Sequence, residues 1–368
     1  MDDRLKSLTL AWEEQELKKR FVTPILAMLM SLFLASTFVA SIAPLCQAQA
    51  NSDPTFSIIW ITDTQYLSQS YPSYFDNLTQ WIVANKGAYN VQMVIHTGDI
   101  VNDEANQQAW ANANKSMSTL LNNGVPYCWD AGNHDYDGSS YIGNHYVAFD
   151  PKALQSKVYW ISNDSEGMDT AVHFDINGWD CLVLNIAYHA SDAVLTWANI
   201  ILDKYPQSHV IVATHAFIDQ KCRCDAWAKN FQKTVLDTHP NVFLTLNGHY
   251  HPSADNRTEV GGRYELVFNQ QDTSEEKGAD TARILTFNPA NGTIHVQTYN
   301  QLTNQFIQEQ ADHFTLNTTF HNDEANGQVP EFSSSTYTAV LLFTFVATVV
   351  AAIAKNKTKK RLRQASFV

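Results

Sequence analysis

Residues 56–299 predict an α/β domain with a large mixed core, and three features of the sequence carry that expectation. Up to about residue 240, β-rich apolar runs alternate with amphipathic stretches. Beyond residue 242 the apolar runs follow one another with little helical pattern between them. The composition, 45% hydrophobic and 17% charged with 5 Cys, excludes a disordered chain, a collagen-like fibre and a disulfide-framework mini-protein. A chain of 368 residues suits two average domains, or one large catalytic domain with accessory segments.

In order along the chain, strands are expected at 56–62, 91–97, 125–131, 171–176, 181–186, 209–214, 242–246, 264–269, 282–287 and 294–299. Each is a short run rich in Val, Ile, Phe, Trp, Tyr or Thr. Helices are expected at 74–86, 104–122, 193–204 and 225–239, where the apolar residues recur at helical spacing. There is no internal repeat. Residues 317–336 are polar, Ser-rich after Phe332, and read as a linker.

Two uncharged segments flank this domain. Residues 21–45 form a Leu/Ala/Phe-rich run preceded by Lys18, Lys19 and Arg20 and followed by Ala48-Gln49-Ala50, so residues 1–50 are expected to be a basic segment with a signal peptide or signal anchor. Residues 337–354 carry no charge and would just span a bilayer core of about 30 Å. The six Lys/Arg that follow make residues 355–368 a basic tail, which the positive-inside rule places in the cytoplasm. Both flanks then put residues 51–336, the domain of 51–316 with its linker, outside the cell, anchored to the membrane by the C-terminal helix. Six N-x-[ST] sequons, beginning at Asn77, Asn114, Asn163, Asn256, Asn291 and Asn317, permit glycosylation there. Cys128 and Cys181 are one possible disulfide pair. Cys222 and Cys224 lack the second Cys pair that a zinc site needs.

Charge narrows the partners. Setting aside the balanced first twenty residues and the basic tail leaves 13 basic and 32 acidic groups, a net of −19, in residues 51–354. So acidic a domain is a poor nucleic-acid binder. If it handles phosphate, a metal must supply the positive charge.

Potential metal ligands follow five of the expected strands: Asp63-Thr64-Gln65, Gly98-Asp99, Gly132-Asn133-His134-Asp135, His215, and Gly248-His249-Tyr250-His251. In an open α/β sheet ligands gather outside the carboxyl ends of the strands. Singly, Asp or Asn after a strand is an ordinary turn or cap residue. Five such ends in order are not an ordinary coincidence.

This ordered set closely resembles the calcineurin-like metallophosphoesterase superfamily, whose pattern is D-x-H, G-D, G-N-H-[DE], a lone H, and G-H-x-H. The resemblance implies a β-sandwich of two mixed sheets flanked by helices, with a two-metal site. Asp63, Gln65 and His251 would hold the first ion, Asn133, His215 and His249 the second, and Asp99 would bridge both. The ions implied are Mn, Fe, Mg or Zn. Gln65 stands where the commonest pattern has His, which exchanges a nitrogen for a hard amide oxygen and favours Mn, Mg or Fe over Zn at that site.

The resemblance also implies in-line attack on phosphorus by a hydroxide held between the ions, with His134 serving the departing ester oxygen. Asp135 is a candidate to orient His134, and Asn102, Asn185 and His189 are candidates for second-shell or substrate contacts. His96, inside a strand, reads as a core residue. The expected activity is hydrolysis of a small phosphorylated substrate at the membrane. The alternatives are a nucleotide or phospholipid-headgroup diesterase, or a non-catalytic, metal-stabilised binding module. The sequence leaves substrate, metal and oligomeric state open.

Overall fold

In the computed structural model, residues 55–136, 159–164, 168–176, 178–251, 257–271 and 281–318 are described, with Phe149, Leu154 and Lys157. The strands are β1 (Phe56–Ile61), β2 (Val91–Thr97), β3 (Tyr127–Asp130), β4 (Trp160–Asn163), β5 (Thr170–Ile176), β6 (Trp179–Ile186) and β7 (His209–Thr214). They continue as β8 (Val242–Asn247), β9 (Arg257–Val260), β10 (Arg263–Val267), β11 (Thr281–Asn288), β12 (Thr293–Asn300), β13 (Gln305–Ile307) and β14 (His313–Asn317). The helices are α1 (Gln65–Ser70), α2 (Pro72–Asn85), α3 (Gln107–Asn122), α4 (Asp192–Lys204) and α5 (Ala226–Thr234).

Two mixed sheets result. One runs β13-β12-β11-β1-β2-β3, with β14 also paired to β12. The other runs β4-β5-β6-β7-β8-β10-β9. In the first, β1, β2 and β3 run parallel, with β3 at the edge; at the centre of the second, β6, β7, β8 and β10 are parallel. Strand periodicity sorts the side chains into layers. Along β1, Ile58 and Trp60 enter a core shared with Val183, Ile211 and Leu244 of the other sheet. Ile59 and Ile61 face the opposite way, onto Phe75, Trp110 and Met117 of α2 and α3. Leu184, Val210 and Val212 pack outward against Leu195 and Phe231 of α4 and α5. The order of layers is therefore helices, sheet, sheet, helices.

Local signals explain the helix starts. Pro72 occupies the first turn of α2. Asn106, Ser191 and Asp225 cap α3, α4 and α5, each side chain accepting a backbone N–H of the first turn. The helix expected over 225–239 stops at Thr234. There Val235 leaves helical geometry and a short 3-10 turn, Leu236–Thr238, follows. The Thr238 hydroxyl donates to the Val235 carbonyl at 2.8 Å, a local bond that competes with helix continuation. Strands β4, β9, β13 and β14 and helix α1 were not expected. All five are short, and none of the four strands is a continuously buried run.

Cys128 and Cys181 are both buried and free, so the pairing considered from sequence does not form. Among the described residues no helix is long and apolar enough to cross a membrane. The segments 21–45 and 337–354, most of the 317–336 linker, the basic tail and the sequon asparagine at 256 lie outside the described residues.

Candidate metal centre

Because β1, β2 and β3 share a direction, their following loops emerge along one edge, and the ends of β7 and β8 meet them there. Three backbone or side-chain bonds stitch this junction. Asp63 N–H donates to the Gly98 carbonyl at 3.0 Å, and His215 Nδ1–H donates to the Thr97 carbonyl at 2.8 Å. His249 N–H donates to Asp63 Oδ2 at 3.1 Å. The chain turns sharply at these ends, and Asp63, Asp99 and His249 all adopt left-handed backbone angles, with φ of 51°, 52° and 64°. Such conformations cost a non-glycine residue about 1 kcal/mol or more and cluster at functional sites. Two glycines permit the close approach. A Cβ on Gly132 would lie 2.1 Å from Asp99 Oδ1, and one on Gly248 would lie 2.2 Å from Thr62 Oγ1.

Asp99, His215 and His249 each bring a ligand atom within 4.8 Å of the others. His215 Nε2 sits 3.3 Å from Asp99 Oδ1 and 3.1 Å from His249 Nδ1. Gln65 reaches the same carboxylate, its Nε2 donating to Asp99 Oδ2 at 3.1 Å, while its buried Oε1 has no hydrogen-bond partner. Asn133 Oδ1 is likewise buried and unpartnered. Buried polar atoms without partners are rare and call for an explanation. Two neutral amide oxygens, two imidazoles and a shared carboxylate suit divalent cations, so the residues present fit a metal centre. A sequence model of the calcineurin-like phosphoesterases matches residues 56–253, more than half of the chain and the span containing every one of these ligands.

The chain belongs to the calcineurin-like phosphoesterase family.

Among curated proteins, this family member is 31% identical over 297 residues to YvnB, an uncharacterised protein of Bacillus subtilis. The match covers 76% of the chain but spans only 22% of YvnB. Among solved structures it is similar to the purple acid phosphatase PPD1 of yellow lupin, at 11% identity and TM-score 0.47, covering 73% of this chain and 55% of that one. It is also similar to GAP50, the anchor in the inner membrane complex of Plasmodium, at 14% identity and TM-score 0.47, covering 72% and 89%.

Electrostatics within this phosphoesterase-family site follow from burial and pairing. Burial alone would lower His215, but the Asp99 charge and hydrogen bond outweigh it and push the imidazole up to about 10. Burial would raise Asp99, yet His215 and the His134 N–H hold it below the ordinary carboxylate value. Burial pushes Asp63 up to about 7, with the Asp99 charge reinforcing it and His215 opposing. His249 falls to about 4, first through burial and then through repulsion by His215. His96, wholly buried and hydrogen-bonded to the Thr64 hydroxyl, is driven by burial to about 3 and stays neutral.

His134 lies at the margin of the cluster. Its backbone N–H donates to Asp99 Oδ1 at 3.0 Å, and its Nδ1–H donates to the Asn102 carbonyl at 2.9 Å. That second bond commits Nδ1 and leaves Nε2 as the ring nitrogen available for chemistry. Asn102 thus contributes its backbone rather than its side chain.

Two candidates, Asp135 and Asn185, fare differently from expectation. Asp135 does not touch the His134 ring. Its oxygens accept the N–H groups of Ile100, Val101 and Gly132 at 2.8, 3.0 and 2.7 Å, latching the loop after β2 to the loop after β3. Asn185 is fully buried on the inner face of β6, donating to Thr170 Oγ1 at 3.0 Å, and is out of reach of a substrate. It lies inside the strand, which ends at Ile186 as the sequence predicts. His251 is exposed and stands outside the close trio of Asp99, His215 and His249. His189 is exposed, hydrogen-bonded to Asp225 at 2.9 Å, and stacked on Tyr188 with ring centroids 4.0 Å apart. The Tyr188 ring in turn packs 5.4 Å from His249, so the two residues form a rim beside the cluster. Tyr188 was overlooked because an aromatic after a strand is most often core.

Proposed function

We propose that the chain is a metal-dependent phosphoesterase acting on a small phosphate ester, held at the membrane with its catalytic domain outside. The observation that carries the catalytic part is the meeting of Asp99, His215 and His249 with two unpartnered buried amide oxygens, those of Gln65 and Asn133. Asp63, Gln65 and His251 would hold one ion, Asn133, His215 and His249 the other, and Asp99 both. Ions bound there supply Lewis acidity, drawing charge from phosphoryl oxygens and acidifying water. The chain's own contribution is orientation and proton handling. Asp99 is fixed by Gln65 and by the His134 N–H. His134 Nε2 faces the task of protonating the leaving oxygen, with Nδ1 anchored on Asn102. The net charge of −19 over residues 51–354 favours a metal-neutralised phosphate site over a basic one. Membrane attachment rests on the uncharged run 337–354 and the basic residues after it.

The test is hydrolysis of a chromogenic phosphomonoester and a phosphodiester by the full chain, with Mn, Fe, Mg and Zn added in turn. Metal-dependent turnover, abolished by Asp99→Ala, is the expected result. Tight metal binding with no turnover of either ester would instead favour a binding module.

A further inference from the structure

Beneath Asp63 runs a chain of hydrogen bonds whose direction is fixed at its far end. The Trp60 indole N–H donates to Thr97 Oγ1 at 2.8 Å. An indole has no acceptor, so the Thr97 hydroxyl must pass its own proton onward, and it lies 2.7 Å from Thr62 Oγ1. The Thr62 hydroxyl in turn donates to Asp63 Oδ2 at 2.6 Å. Trp60 and Thr97 are fully buried and Thr62 nearly so, which shields the row from competing water. With the His249 N–H on the same oxygen, Oδ2 of Asp63 accepts two hydrogen bonds, and Oδ1 is left outside this row.

Thr97 has a second role through its backbone. Its carbonyl accepts His215 Nδ1–H at 2.8 Å, which fixes that ring's orientation and leaves Nε2 turned to Asp99. One residue therefore orients a carboxylate in the first half of the centre by its side chain and an imidazole in the second half by its main chain.

We infer that Thr97 is the positioning residue shared by both halves of the metal centre, its hydroxyl acting on Asp63 through Thr62 and its carbonyl acting on His215. This rests on Asp63 and His215 being metal ligands, as proposed above. The two routes are separable, because Thr97→Val removes the hydroxyl and keeps the carbonyl.

The experiment is calorimetric titration of the full chain with Mn²⁺, for the wild type and for Thr97→Val, Thr97→Ser, Thr62→Val and the Thr62→Val/Thr97→Val pair. Asp63→Asn serves as the reference that identifies which binding event belongs to the first half. Thr97→Val is expected to weaken that event about 10- to 100-fold, the usual effect of losing such a partner. The other event should stay within about twofold, and Thr97→Ser should restore the first to within about twofold. Because the hydroxyls act in series, the double variant should be no weaker than the worse single variant. Thr97→Val binding like wild type, or weakening both events alike, would overturn the inference and leave the metal centre standing. A wild type that binds no Mn²⁺ would bring down the metal centre itself. Should Thr97→Val not fold, Thr62→Val alone decides, since it breaks the last link of the same row.

Discussion

With Nδ1–H committed to the Asn102 carbonyl, His134 has one nitrogen left for chemistry, and its backbone N–H holds Asp99 whatever the side chain. Truncating the ring therefore removes proton transfer without loosening the carboxylate. His134→Ala should lower kcat about 10²- to 10⁴-fold on alkyl phosphates, whose leaving oxygens need a proton. The loss should be much smaller on a nitrophenyl ester, and metal content should be unchanged. Equal losses on both esters would deny the ring its role. Gln65 allows a second substitution at this scale. Gln65→His replaces the unpartnered amide oxygen by a nitrogen and should shift relative affinity toward Zn over Mn by about tenfold, measured by competition. The ligand residues were legible because Asp, Asn and His stand immediately after apolar runs. Thr62 and Thr97 were not, since threonine is an ordinary strand residue and only the structure shows where its hydroxyl points.

At the scale of elements, what assembles the centre is the fastening of one loop to another. Asp135 gathers three backbone N–H groups from two loops into one buried carboxylate. Burial, and behind it the Asp99 charge, pushes this carboxyl up to about 7 against the pull of those bonds. Asp135→Ala leaves all three donors unpaired, at about 1–3 kcal/mol for each that water cannot reach. The urea midpoint should fall by an amount equivalent to at least about 3 kcal/mol. A fall in kcat with no change in midpoint would return Asp135 to the role of orienting His134. The G-N-H-D block was legible as a motif, but a motif does not say which of its members binds a ligand and which secures the loop. Strands β1, β7 and β8 were legible for a simpler reason, that both their faces are buried and their sequences run largely apolar, and β12 through the alternation of a strand with one buried face. The edge strands β9 and β13, short and partly exposed, carry no such signal.

For the whole molecule, layers that the periodicity of β1 sorts so cleanly also enclose a carboxyl group with no hydrogen-bond partner. Asp130 ends β3 on the face turned toward the other sheet, is fully buried, and neither of its oxygens has a hydrogen-bond partner. Burial raises its carboxyl well above the ordinary value; His215 opposes this, and Asp135, Asp169 and Asp63 add to it. A folded-state value above the unfolded one of about 3.9 means that the native protein binds this proton more tightly. The stabilisation is then complete below about pH 4 and is lost as pH rises through the folded value, because the unfolded chain has already released its proton. Asp130→Asn cannot ionise and escapes that loss. With metal removed by chelator, wild type and Asp130→Asn should unfold at similar urea concentrations near pH 4. The variant should become progressively the more stable of the two as pH rises. Added divalent metal should narrow the gap, since ions bound at the neighbouring centre offset the charge that Asp130 acquires. A gap independent of pH would mean that Asp130 is ionised in the folded protein throughout, with a compensating partner close enough to keep it so.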